Sequence, residues 1–131
     1  MISNAQYEEH VLPYDTRLAE AFPCYGIHHC GNNMENVIEG YLKVPNLKFL
    51  EIGAGSNLEK IAQAVGDRDI ISCIRYSPVA MQSDSLEQMQ AKTQVAIDAF
   101  GGDEKLCFSC VGIDNTVDLE KIRQYLSVFR G

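Results

Sequence analysis

The sequence predicts an α/β fold: four consecutive βα units preceded by a helix. Three observations carry this. After Pro23 short apolar runs appear, each run is followed by an amphipathic segment, and capping residues or glycines mark the ends of several of those segments. Strands alternating with helices imply parallel pairing through right-handed crossovers. At 131 residues the chain suffices for one domain with a modest core, so residues 1–131 read as a single unit.

The elements follow in order. "SNAQYEEHVLPYDTRLAEAF" opens with a capping residue, Ser3 or Asn4, and sets Tyr7, Val11, Leu12, Leu18, Ala21 and Phe22 at helical spacing. Pro13 is expected to bend or split this helix, because it cannot donate to the ladder. "CYGIHHC" (24–30) reads as the first strand, with a helix from Asn33 to Leu42 capped by Asn32 and Glu35. "LKFLEIG" (47–53) is the second strand, and Ser56 with Glu59 forms an S-x-x-E box opening its helix. The third strand is "DIISCIR" (69–75), followed after Pro78 by the longest helix, Ser85 to Phe100, closed by Gly101 and Gly102. "KLCFSCVGI" (105–113) is the fourth, with a last helix from Val117 to Phe129.

Composition narrows the function classes. A formal net charge of -7 and no run of Lys or Arg argue against nucleic acid or an anionic membrane surface as partner. Nothing resembles a signal peptide or a bilayer-spanning stretch, so the expected compartment is the cytoplasm. Five cysteines, an odd count without a secretion signal, point away from a disulfide framework. Metal binding, catalysis or core packing remain for them.

In folds of this class chemistry gathers where strands end and loops begin. That rim holds His28 to Gly31, Glu51 to Ser56, Arg75 to Ser77, and Cys110 to Asp114. Residues two apart on a strand share a face, so His28 and Cys30 can reach one point while His29 turns away. Zinc takes imidazole and thiolate together and needs a third ligand from a neighbouring element. Cys110, at the corresponding end of the fourth strand, is the expected third ligand; Cys107 lies deeper on the opposite face and ranks below it. Glu51 could add a displaceable oxygen. The same residues also suit a strand end that packs with its histidine hydrogen-bonded, and Cys24, Cys73 and Cys107 read as core cysteines.

"FLEIGAGSNLEKI" ends a strand with an acidic residue and then gives Gly53-x-Gly55 and a capped helix. It resembles the nucleotide-binding turn of class I S-adenosylmethionine methyltransferases, although a tight βα turn also uses glycine for geometry alone.

A broader resemblance covers most of the chain. "ISNAQYEEHVLPYDTRLAEAF", "GIHHCGNNMENVIEGYLK" and "SCVGIDNTVDLEKIRQYL" resemble, in order and spacing, segments of the uroporphyrinogen decarboxylase superfamily: the helix before the fifth barrel strand, the strand with its H-x-C-G turn, and the closing strand and helix. That resemblance implies the C-terminal half of a (β/α)8 TIM barrel. One branch of the superfamily decarboxylates uroporphyrinogen without a cofactor. The other, the methylcobamide:coenzyme M methyltransferase type, binds zinc through a His-x-Cys pair and a distant Cys, and this chain is similar to it at His28, Cys30 and Cys110. The resemblance therefore implies zinc at those residues, Glu51 as a catalytic carboxylate, and methyl transfer from a methylated corrinoid, free or on a corrinoid protein, to a small thiol. Two features depart from the superfamily. "IRYSPVAMQSDS" lacks the Gly-Gly-Asn turn many relatives carry, and the first half of the barrel has no counterpart here. Uncovered strands are expected to drive association, as a homodimer or with another half-barrel. A cofactor-free porphyrinogen decarboxylase fragment and a non-catalytic scaffold half-barrel are the alternative functions.

Overall fold

A computed structural model describes residues 2–129. The chain opens with α1 (Asn4–His10) and α2 (Leu12–Glu20). Ser3 caps α1 in a reciprocal box with Gln6, and Pro13 sits in the first turn of α2, where its missing donor costs nothing. The single helical pattern is thus split at Val11, as Pro13 requires. Four parallel strands follow, β1 (Tyr25–His28), β2 (Leu47–Ile52), β3 (Ile71–Tyr76) and β4 (Leu106–Cys110), and they lie side by side in the order of the chain. The intervening segments are a 3-10 turn (Met34–Asn36) with α3 (Ile38–Tyr41), then α4 (Leu58–Val65), α5 (Pro78–Ser83), α6 (Leu86–Phe100) and α7 (Leu119–Ser127). An all-parallel sheet in sequential order with alternating helices is the expected α/β architecture, and it is compatible with half of a barrel.

Strand parity sorts the side chains. Ile27, Leu50 and Ile52 pack with Ile38, Ile61 and Val65 in one core cluster. Tyr76 packs with Met81, Met89 and Tyr125 in a second, bordered by Cys110. Phe108 lies 5.0 Å from the Phe129 ring. The helices therefore cover this face of the sheet. The opposite face bears the paired row His28–Glu51–Cys73–Cys107 and, beyond it, Arg75 beside Ser109. None of these residues belongs to either core cluster.

Three local expectations are corrected. The segment 33–42 is not one helix: Asn33 takes a left-handed φ of 64°, and only the 3-10 turn and one α-turn form. Asn32 and Glu35 do not cap it, because they serve the next loop: Asn32 Oδ1 accepts from Gly55 N–H at 3.1 Å, and Glu35 Oε2 from Asn57 N–H at 3.0 Å. Ser56 does not cap α4 either. Asn57 does, accepting from Lys60 N–H, while Ser56 Oγ accepts from Met34 N–H at 3.2 Å. Capping side chains are short and indiscriminate, so whichever donor tertiary packing brings nearest takes them. By contrast α6 begins and ends where expected, with a Ser85/Gln88 box and Gly101 at φ 71°. The short helix α5 was not anticipated; Ser77 caps it and Pro78 starts it.

Candidate functional site

β1 ends at His28, and its neighbour across the ladder is Glu51. The pairing sets His28 Nδ1 2.5 Å from Glu51 Oε2. Cys30 lies just past the strand, exposed, with its thiol near enough to His28 to be affected by its charge. Glu51, through its hydrogen bond to the imidazolium, and then Cys30 raise the His28 pKa above its ordinary value. The same proximity to His28, helped by Arg75, holds the Cys30 thiol below its usual range. The three side chains thus favour an imidazolium between a carboxylate and a thiolate.

Behind them stands Arg75, a residue for which the sequence offered a place on the rim but no role. Its side chain is only 9% exposed, with Nη1 3.9 Å from Glu51 Oε1. Nη2 donates to the carbonyls of His29 and Cys30 at 3.3 and 3.1 Å. One guanidinium therefore fixes the backbone that carries Cys30 and the carboxylate that faces His28. A forked donor suits this task because it can serve a loop and an anion together. The readable signal was an arginine near the end of an otherwise apolar strand, where a cation needs partners.

His29 turns to the helix side, as parity requires. Its Nδ1 meets Tyr41 Oη at 3.0 Å and its Nε2 the Asn32 carbonyl at 3.2 Å, so its role is structural.

Cys110 is not brought to this point. It pairs with Tyr76 on the helix-covered face, where burial raises its thiol pKa. Cys107 is the β4 thiol on the face of His28 and Glu51. Burial, and then a hydrogen bond with Cys73, push it up to about 12. Cys73 is buried as expected, whereas Cys24 is exposed, lying before β1 begins rather than inside it.

The glycines of "GAGS" have a steric duty. A Cβ on Gly53 would lie 1.8 Å from the Gly31 carbonyl oxygen, and one on Gly55 2.6 Å from Asn32 Cγ. They let the loop after β1 press onto the loop after β2, which is the geometric alternative to a nucleotide turn.

The donor set, imidazole, thiolate and carboxylate, matches zinc in chemical type. Among the described residues, no three His, Cys, Asp or Glu side chains are placed so that they could hold a metal ion together. No helix there is long and apolar enough to cross a membrane. Comparison with models of protein families, with curated proteins and with solved structures finds no match to this chain.

Proposed function

We propose that the chain is a half-barrel of the uroporphyrinogen decarboxylase type whose rim supports zinc-assisted methyl transfer from a methylated corrinoid to a small thiol. The observation that carries this is the His28–Glu51 contact of 2.5 Å with the Cys30 thiol beside it, on the face opposite the core clusters at the strand ends. His28 and Cys30 would hold the metal. Of the two β4 cysteines, Cys107 shares their face and Cys110 does not, with two strands between Cys107 and His28, so Cys107 is the third thiolate of this reading only once the sheet curves to bring β4 towards β1. When bound, zinc would keep a substrate thiol ionised at neutral pH.

The chain's own groups have definite parts. Glu51 takes the proton of the incoming thiol, with Arg75 beside it to offset the carboxylate's charge and hold its position. The new sulfur–carbon bond forms as the cobalt–carbon bond breaks, its electron pair staying on the cobalt. Arg75 also keeps the Cys30 backbone from moving during exchange.

Assembly belongs to the same reading. β1 and β4 are open edges, and Ile71 is 48% exposed. Each strand of a closed (β/α)8 barrel is followed by one helix. This chain has helices both before β1 and after β4, so two copies would overfill the ring. Tyr14 and Leu18 on α2, with Leu119 and Leu126 on α7, leave apolar side chains exposed at both flanks. A complementary half supplying four strands and their three connecting helices is therefore the fitting partner, in preference to a second copy.

Elemental analysis of purified protein tests the metal. About one zinc per chain is expected, lost in Cys30→Ser and Cys107→Ser and kept in Cys110→Ser. Methylcobalamin with a simple thiol, assayed with and without chelator, then tests transfer. Protein that takes up no zinc after reconstitution would sink the reading.

A further inference from the structure

We infer that a cavity on the helix side of the sheet, distinct from the rim site, binds a small neutral molecule of phenol type. The cavity has a volume of about 280 Å³ and lies over Ile74, Tyr76 and Phe108, walled by Leu58 on α4, Ala80 on α5 and Thr93 on α6. It exists because the helices above it present short side chains, Thr93 and Ala80, where a Leu would close the gap. By strand parity Ile74, Tyr76 and Phe108 point away from Cys73 and Cys107, so the sheet itself separates this space from His28 and Glu51. Arg75 borders both.

Two features define the ligand. The Thr93 hydroxyl is the polar atom that wants a partner: the residue is 6% exposed, and its Oγ1 makes no hydrogen bond. A buried hydroxyl left in this condition is costly, and one hydrogen-bonding group on a ligand relieves it. The cations at the wall are already engaged. Lys92 Nζ lies 2.5 Å from Asp84 Oδ2, and Arg75 is bonded to two carbonyls and faces Glu51. No unpaired positive charge awaits an anion, so a neutral ligand is favoured. Ser77 also lines the cavity, but its Oγ already accepts from Ala80 N–H at 3.4 Å. The rest of the wall is aliphatic and aromatic, and an apolar cavity of roughly 150 Å³ already accepts benzene in another protein. A monocyclic phenol matches the size, the aromatic lining and the single unpartnered polar point.

The test is a calorimetric titration of the full chain with phenol and, separately, benzene, with the Ile74 methyl resonances followed by NMR. Phenol is expected to bind about tenfold more tightly than benzene, the worth of one hydrogen bond, and to shift Ile74. Thr93→Val keeps the shape without the hydroxyl and should make the two ligands equal. Thr93→Ser should retain the preference, and Ala80→Leu should abolish both bindings. Failure of phenol to bind, equal affinities in the unmodified chain, a preference that survives Thr93→Val, or binding that survives Ala80→Leu would each overturn the inference.

Discussion

His28 and His29 are adjacent yet serve opposite faces, and the difference comes from the two-residue period of a strand. His29 is held by Tyr41 and Asn32, whereas His28 faces Glu51 and Cys30. The charged state of the rim has a defined pH window. The His28 pKa is raised, so its contribution to stability is present at low pH and lost as pH rises through that raised value. The Cys30 pKa is lowered, so its contribution is present at high pH and lost as pH falls through that lowered value. In metal-free protein, alkylation of Cys30 by iodoacetamide should therefore set in at a lower pH than for a free thiol near ~8.5. His28→Gln should move the onset back up, as read by mass spectrometry, and an unmoved onset would refute the pairing. Arg75→Met removes a guanidinium that serves two carbonyls and Glu51. A loss of about 1–3 kcal/mol in urea unfolding is expected. Gly53→Ala drives a methyl into the Gly31 carbonyl and should cost more than Gly101→Ala, where no atom lies within 4 Å and only the positive φ is strained. Chemical denaturation of the two variants side by side makes that comparison.

At the scale of elements, the loops after β1 and β2 behave as one brace. Asn32, Glu35 and Ser56 each cross from one loop to the other instead of capping their own helices. Hydrogen exchange separates these duties. Asn57→Ala should deprotect the first turn of α4, whereas Ser56→Ala should deprotect Met34 in the 3-10 turn and leave α4 as it was. Ser85→Ala removes half of a reciprocal cap on the longest helix, and thermal unfolding should register about 1 kcal/mol. Where α5 meets α6, Asp84 accepts from Tyr76 Oη and lies 2.5 Å from Lys92 Nζ, while its carbonyl accepts from Lys121 at 2.7 Å. Burial opposes ionisation of Asp84, but Lys92 and Tyr76 outweigh it and the net pKa is lowered. Asp84 thereby joins β3, α6 and α7 around the second core cluster.

For the molecule as a whole, a parallel sheet covered on one face invites a partner for the other. Light scattering of the chain alone should show no discrete closed dimer, because each copy brings a helix at both ends of its strand series. A stable two-copy particle would overturn the preference for a complementary half. The alternation of strand and helix, the split at Pro13, the limits of α6 and the opposed faces of His28 and His29 were legible in the sequence. Each depends on local chemistry: a missing donor, a capping box, a left-handed glycine, a period of two. Which of Cys107 and Cys110 lies on the face of His28 and Glu51 was not legible. Every residue of β4 is partly buried, so no alternation marks its phase, and only the pairing of Cys73 with Cys107 sets it. Arg75 as the support of Cys30 was hidden for a similar reason, since β1 and β3 are separated by β2 and meet only through a long side chain. The sequence by itself determined the order and type of the elements, because those follow from interactions a few residues long. Tertiary structure alone decided which rim side chains touch, because register and loop packing depend on contacts between residues far apart in the chain.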